Sequence, residues 1–380
     1  MSNFNKNIKE SSIKLDFFSL SSSSVISQFF SLLCIYILAK DFGAEIFGIY
    51  SVFLAYSSII IILTSLSLEQ VYPSLKNRNF EDMVYATLII CIIVSLTIFI
   101  LFSFFGYRHS FLLGIFVFLN SLGRMGELIA VRSKLFKLVS VLRIIPNIIF
   151  LFILIRFTKT EQITTESVII ANIISFSFSW LFIYLAGFLS QVKSLPSIKR
   201  ILKIIYAERR FIYLVAPSQI FNRLALSIPI IFLERFFGPS IAGQYALINR
   251  IGFGPISIIG SAVSQIFLGY LGDIKRGELK NIGSFPYKKV RKNLLIAGLC
   301  TLIFFTIINP LIFSFFLSND WYLASLSGII LAPIIALMLV VFPLTAVFTV
   351  YKLHNILFYN QLAFFLLSLF SFSIAAFNVD

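Results

Sequence analysis

The chain has 380 residues, of which 59% are hydrophobic and only 12% are charged, and its mean hydropathy is +0.96. A soluble domain carries roughly 25% charged residues, so this composition excludes a soluble protein and indicates an integral membrane protein. The net charge of +15 is dispersed over short loops between apolar segments, which argues against a nucleic-acid partner.

The chain begins with a polar segment, residues 1–16, that lacks the apolar core and small-residue cleavage site of a signal peptide. We predict that it is a cytoplasmic tail. Eleven apolar stretches follow, each long enough to cross about 30 Å of hydrocarbon as a helix. Apolar residues follow one another without interruption in these stretches, whereas apolar and polar residues alternate along the strands of a membrane barrel. The predicted spans are 17–39, 46–72, 83–105, 110–131, 138–157, 167–190, 211–234, 242–270, 293–317, 321–347 and 355–378.

The loop cations predict the orientation of these spans. The tail and the even-numbered gaps hold 22 Lys and Arg, whereas the odd-numbered gaps hold 5. Because cytoplasmic loops collect Lys and Arg, the N-terminus is predicted to lie inside the cell. The three cysteines lie within spans, without paired spacing or a His cluster, so neither a disulfide nor a metal site is predicted.

A short motif occurs twice. "FGAEIFGIY" follows span 1 at 42–50, and "FGPSIAGQY" follows span 7 at 237–245, an offset of 195 residues. Both copies are expected at the outer end of a span, where their glycines permit a tight turn and close helix packing. A parallel repeat of two like-oriented halves is typical of transporters that bind substrate between the halves. A chance recurrence of a surface turn is the alternative.

A basic linker at 191–210 separates the two copies of the repeat. Its isoleucines and leucines alternate with Lys and Arg, which predicts an amphipathic helix on an anionic inner leaflet. The linker divides the chain into an N-terminal lobe, 17–190, and a C-terminal lobe, 211–380. The loop at 272–292 is similarly basic.

Four arginines lie inside predicted spans: Arg124, Arg143, Arg223 and Arg250. Each charge costs about 2.5–3.5 kcal/mol at a helix centre on insertion scales. Arg143 is near the inner end of its span, so snorkelling is a simple explanation for it. Arg124 has Glu127 at i+3, so an internal ion pair is an alternative there. Arg223 and Arg250 have no acid within reach on their own helices, which favours a water-accessible cavity.

Amides and acids accompany these cations. Arginine binds phosphate through a bidentate fork and amides match hydroxyls, so together they suit a sugar phosphate. Single buried amides are also ordinary interhelical hydrogen-bonding groups. The amides proposed to line a polar cavity are Gln28, Asn120, Asn222 and Asn249, and Gln28 occupies the position equivalent to Arg223. Glu69 and Glu127 are candidate counter-ions, or coupling sites for a proton or sodium gradient.

Two segments resemble Wzx-type polysaccharide flippases, which belong to the multidrug/oligosaccharidyl-lipid/polysaccharide exporter superfamily. Residues 37–77 are similar to the first two helices of that family, with the same glycine turn and a terminal pattern formed by Leu66, Leu68, Glu69, Gln70 and Pro73. Residues 236–272 are similar to the seventh and eighth helices. These motifs cover about a fifth of the chain.

The resemblance implies an all-α fold of two six-helix lobes that form a V around a central cationic cavity. It implies a flippase without a cofactor, in the bacterial inner membrane, moving an undecaprenyl-diphosphate-linked O-antigen or capsule repeat unit outward by alternating access. The resemblance further implies that Arg223 and Arg250, helped by Arg124 and Arg143, bind the diphosphate of this substrate. Membrane lipid, a polysaccharide polymerase and a chain-length regulator are the implied partners. The family has at least twelve spans and this chain gives eleven, so either a final helix is missing or two spans are merged.

Other classes of function remain open at this point. A drug antiporter of the same superfamily would need acids facing its cavity, yet interior cations outnumber acids here. A polysaccharide polymerase or lipid-linked glycosyltransferase would need a sizeable loop with catalytic acids, which the sequence lacks. A structural membrane subunit would not need interior arginines. A peptidoglycan-precursor flippase is not distinguished from a repeat-unit flippase.

Overall fold

The computed structural model describes residues 2–75, 77–159, 164–185, 197–275, 287–317, 319–341 and 353–377. These residues are almost entirely helical and contain no strand. Seven helices within them are long and apolar enough to cross a membrane. The prediction of an all-α membrane protein is therefore confirmed.

The helices follow the predicted spans closely. Their bounds are α1 Ser2–Ser65, α2 Asn77–Phe104, α3 Ser110–Arg132, α4 Phe136–Phe157, α5 Thr165–Leu185, α6 Ile198–Ala207, α7 Ala216–Phe237, α8 Pro239–Lys275, α9 Tyr287–Ile303, α10 Asn309–Phe316, α11 Tyr322–Val341 and α12 His354–Phe377. Spans 1 and 2 share α1, and span 9 comprises α9, a π-helical turn at Phe304–Ile308, and α10. Linker residues 191–196 and loop residues 276–286 lie outside the described residues.

Two boundaries differ most from the prediction. Helix α1 begins at Ser2, so the polar tail joins the helix of span 1 instead of preceding it as a separate segment. Span 2 was predicted to reach residue 72, but α1 ends at Ser65 because Leu66 and Ser67 adopt left-handed backbone conformations, with φ of 50° and 59°. A 3₁₀ helix, Leu68–Ser74, follows this reversal.

The repeated motif has the same backbone geometry in both copies. Gly43 breaks α1 with φ 80° and ψ 170°, and Gly238 separates α7 from α8 with φ 89° and ψ 167°. This region of backbone space is essentially restricted to glycine. The first glycine of each copy therefore makes the tight turn that the sequence predicts.

The second glycine of each copy packs against the other copy. A Cβ on Gly48 would lie 1.7 Å from the carbonyl oxygen of Pro239, and one on Gly243 would lie 2.2 Å from the carbonyl oxygen of Ala44. Ala44 and Pro239 are themselves equivalent at the offset of 195 residues. The contact is therefore reciprocal, like the self-complementary interface of a twofold dimer.

The buried core lies around this contact. Its large members include Leu38, Phe47 and Phe53 of α1, together with Leu247 of α8 and Trp321, which precedes α11. The rings of Phe47 and Trp321 lie 6.0 Å apart. Outward-facing side chains such as Phe104, 83% exposed, and Phe370, 65% exposed, provide the apolar surface that a bilayer covers.

We expect Gly48→Ala to destabilise the protein by about 1–3 kcal/mol, because the added methyl group meets backbone atoms that cannot rotate away. Thermal unfolding of the purified protein in detergent measures the change. Gly114→Ala is the matched control, since its Cβ would approach the nearest atom, Cβ of Phe99, only to 3.2 Å. Equal unfolding temperatures for both variants would contradict the close contact.

Candidate functional site

The first interior cation, Arg124 of α3, is paired with Glu69 of the Leu68–Ser74 helix. Its Nη2 lies 2.9 Å from Oε1 of Glu69, whose side chain is 1% exposed against 34% for Arg124. The left-handed turn at Leu66 and Ser67 precedes this acid in the chain. The alternative of an internal pair within α3 therefore holds for Arg124 only in part: a carboxylate neutralises it, but this carboxylate is Glu69 and not Glu127.

Glu127 instead pairs with Arg143 of α4. Arg143 donates to Oε1 of Glu127 through Nε at 2.9 Å and Nη2 at 2.6 Å, and to Oγ of Ser24 through Nη1 at 2.9 Å. Asn147, one turn further along α4, donates to Oγ of Ser27 at 2.9 Å. These bonds hold the Arg143 head group, 36% exposed, against α1 and α3.

Arg250 of α8 crosses from the second half of the chain to aromatic residues of the first. Its guanidinium carbon lies 5.4 Å from the ring centroids of both Phe47 and Tyr50 on α1. Within the described part of the chain no carboxylate lies within 4.0 Å of it. Cation–π contacts stabilise such a charge by about 0.5–2 kcal/mol, which is less than a buried carboxylate supplies.

A cavity of about 310 Å³, lined by both polar and apolar side chains, adjoins Arg250. Amides from three helices line it, and Asn172 of α5 donates to the Tyr50 hydroxyl. A cavity of this size accommodates one small polar group or part of a larger ligand. Its polar lining consists of Ser31, Cys34, Tyr50, Ser57, Ser58, Asn120, Asn147, Asn172, Ser175 and Arg250.

Arg223 of α7 is exposed and, among the described residues, has no carboxylate within 4.0 Å. One turn before it, Gln219 accepts a hydrogen bond from Ser67 of the first half at 3.2 Å. Arg223 is thus a cation close to the contact between the two halves.

Of the four amides predicted to line a polar cavity, only one lines the cavity beside Arg250. Gln28 packs against Gly254, one turn beyond Arg250, where an added Cβ would lie 2.3 Å from Nε2. Asn222 and Asn249 are partly exposed and do not line the Arg250 cavity, whereas Asn120 does. The sequence interpretation missed Phe47 and Tyr50 as partners of Arg250. The sequence feature that marks Tyr50 is its place as the last residue of the repeated motif.

A second cavity, of about 960 Å³, has an acidic lining that includes Glu45, Glu166 and Glu234. Arg108 donates to Glu166 at 3.2 Å. Burial lowers the pKa of the neighbouring His109 imidazole, and the Glu166 carboxylate partly opposes this shift. His109 therefore favours its neutral form, and this cavity does not suit an anion.

Comparison with known proteins does not extend this description. No family model matches the chain, and no curated protein or solved structure matches it either. The resemblance to Wzx-type flippases is therefore a proposal that depends on the motifs and on the geometry above. Among the described residues no cluster of three or more His, Cys, Asp or Glu is placed to hold a metal ion.

We expect Glu69→Gln to destabilise the protein by about 1–3 kcal/mol. Removing one partner of a buried ion pair costs about 3–5 kcal/mol, and the partial exposure of Arg124 reduces this cost. Adding Arg124→Gln to the same variant should restore part of the stability, as measured by thermal unfolding in detergent. Glu166→Gln is the control, because its partner Arg108 is 81% exposed. An equally small effect of both single variants would contradict a structural role for the Glu69 pair.

Proposed function

We propose that the protein is a flippase that moves an undecaprenyl-diphosphate-linked oligosaccharide across the bacterial cytoplasmic membrane. The observation that carries this proposal is the contrast among the interior arginines. Glu69 and Glu127 neutralise Arg124 and Arg143, whereas Arg223 and Arg250 have no such partner in the described residues. A charge without a counter-ion in a bilayer requires water or an anionic ligand.

The position of these two arginines supports a substrate site between two lobes. Residues 17–190 and 211–380 would form the lobes, with a central cavity between them. Helix α1 of the first half meets both α7 and α8 of the second. The hydroxyl oxygens of Ser58 on α1 and Ser227 on α7 are 3.5 Å apart. Gln28 on α1 packs against Gly254 on α8. The reciprocal glycine contact supports a parallel repeat, the arrangement that transporters use for alternating access.

The proposed mechanism assigns different roles to the two kinds of arginine. Arg223 and Arg250 bind the diphosphate and replace the hydration that it loses on leaving water. Hydroxyls and amides of the cavity, including Asn120 and Asn147, bind sugar hydroxyls, while the polyprenyl tail stays in the lipid. Glu69 and Glu127 act as counter-ions, or couple a proton or sodium ion to transport. The protein is then a transporter and not an enzyme, with a cytoplasmic N-terminus.

We expect Arg223→Ala and Arg250→Ala each to reduce surface polysaccharide roughly tenfold or more, because a hydrogen bond to a charged group contributes about 1.5–3 kcal/mol. Surface polysaccharide is measured in cells whose chromosomal copy carries the variant, with the amount of membrane-inserted protein measured in parallel. Arg156→Ala is the matched control, since Arg156 is an exposed cation at the end of α4. Normal polysaccharide at normal protein levels in both variants would refute the diphosphate role.

A further inference from the structure

The short helix α6, Ile198–Ala207, is fixed to the first half of the chain by one side chain. Ile204 is 6% exposed and packs in a core cluster with Phe80 and Met83 of α2. Ile198, Leu202 and Tyr206 recur every four residues along another side of the helix and are 76%, 60% and 68% exposed. Helix α6 is therefore held in one rotation, with an apolar stripe directed away from the protein core.

Cations surround this apolar stripe. Residues 198–210 contain five Lys and Arg, of which Lys199, Arg200 and Lys203 belong to α6, and a single acid, Glu208. Lys203, Arg209 and the other three cations are exposed. An exposed apolar stripe beside a strong positive charge is typical of a surface that contacts anionic lipid head groups.

A groove beside α6 combines both properties. It has a volume of about 500 Å³ and lies between α6 and the following turn, Phe211–Val215. Lys203 and Arg209 contribute the charges, and Arg209 lies over the Tyr206 ring, 4.4 Å from its centroid. Leu202, Ile205, Ile212 and Tyr213 complete the groove with apolar surface.

We propose that this groove binds one anionic phospholipid. Lys203 and Arg209 contact its phosphate, and the first part of an acyl chain lies against Leu202 and Ile212. The apolar lining distinguishes the groove from a site for free phosphate, because inorganic phosphate has no apolar surface to bury against it. The proposal requires only that the chain is a membrane protein, so it does not depend on the flippase proposal.

The test uses the full-length protein in nanodiscs of phosphatidylcholine containing a fixed fraction of phosphatidylglycerol. Native mass spectrometry after mild detergent release counts the phosphatidylglycerol molecules that remain bound. We expect Lys203→Gln combined with Arg209→Gln to reduce this bound phosphatidylglycerol roughly tenfold, because these two cations line the groove and would contact the lipid phosphate directly. Lys199→Gln combined with Arg200→Gln removes two positive charges from α6 outside the groove, and should change retention less than about twofold because neither side chain lines it.

Three results would overturn the proposal. Equal losses in the two double variants would show diffuse attraction to the bilayer and not a site. Displacement of the bound phosphatidylglycerol by millimolar inorganic phosphate would identify a site for free anions. Preferential retention of added polyprenyl diphosphate over phosphatidylglycerol would make the groove part of the transport path. Matching unfolding temperatures of both double variants confirm that neither disturbs the fold, and transport activity does not enter the measurement.

Discussion

A guanidinium group within the hydrocarbon of a membrane needs a counter-charge or water, and this requirement organises the interior of the protein. Arg124 and Arg143 satisfy it with carboxylates from other segments of the chain, Glu69 and Glu127. Arg250 satisfies it only in part, through two aromatic rings. The paired arginines tie segments of the first half together, while Arg223 and Arg250 have no carboxylate partner among the described residues.

The glycine contact sets the position of Arg250 beside the cavity. Because Gly48 and Gly243 lack side chains, α1 and α8 approach to backbone contact, and Arg250 is carried onto Phe47 and Tyr50. Elsewhere the same halves meet through small polar groups, such as the Ser58 and Ser227 hydroxyls. Polar contacts of this kind are individually weak in membranes, as the opening of an interface in the proposed transport cycle would require.

The sequence predicted what depends on local patterns and failed where distant segments meet. Continuous apolar runs located the helices, and the repeated glycines located two equivalent turns. The end of α1 was missed because Leu66 and Ser67 reverse the chain without Gly or Pro. The partners of Arg124 and Arg143 were missed because spacing along one helix cannot reveal a carboxylate from another element. The role of Tyr50 beside Arg250 was hidden for the same reason.

Reconstituted transport measures whether Arg223 and Arg250 carry a diphosphate lipid across a bilayer. Purified protein is placed in proteoliposomes with a fluorescent polyprenyl-diphosphate saccharide, and quenching from outside measures its movement between leaflets. We expect movement well above that of protein-free liposomes, and its loss when Arg223 and Arg250 are both replaced by Gln. We also expect little movement of an uncharged polyprenyl saccharide, which lacks the group that these arginines are proposed to bind. Equal movement of charged and uncharged lipids, or none above the protein-free rate, would refute the proposed role of the two arginines.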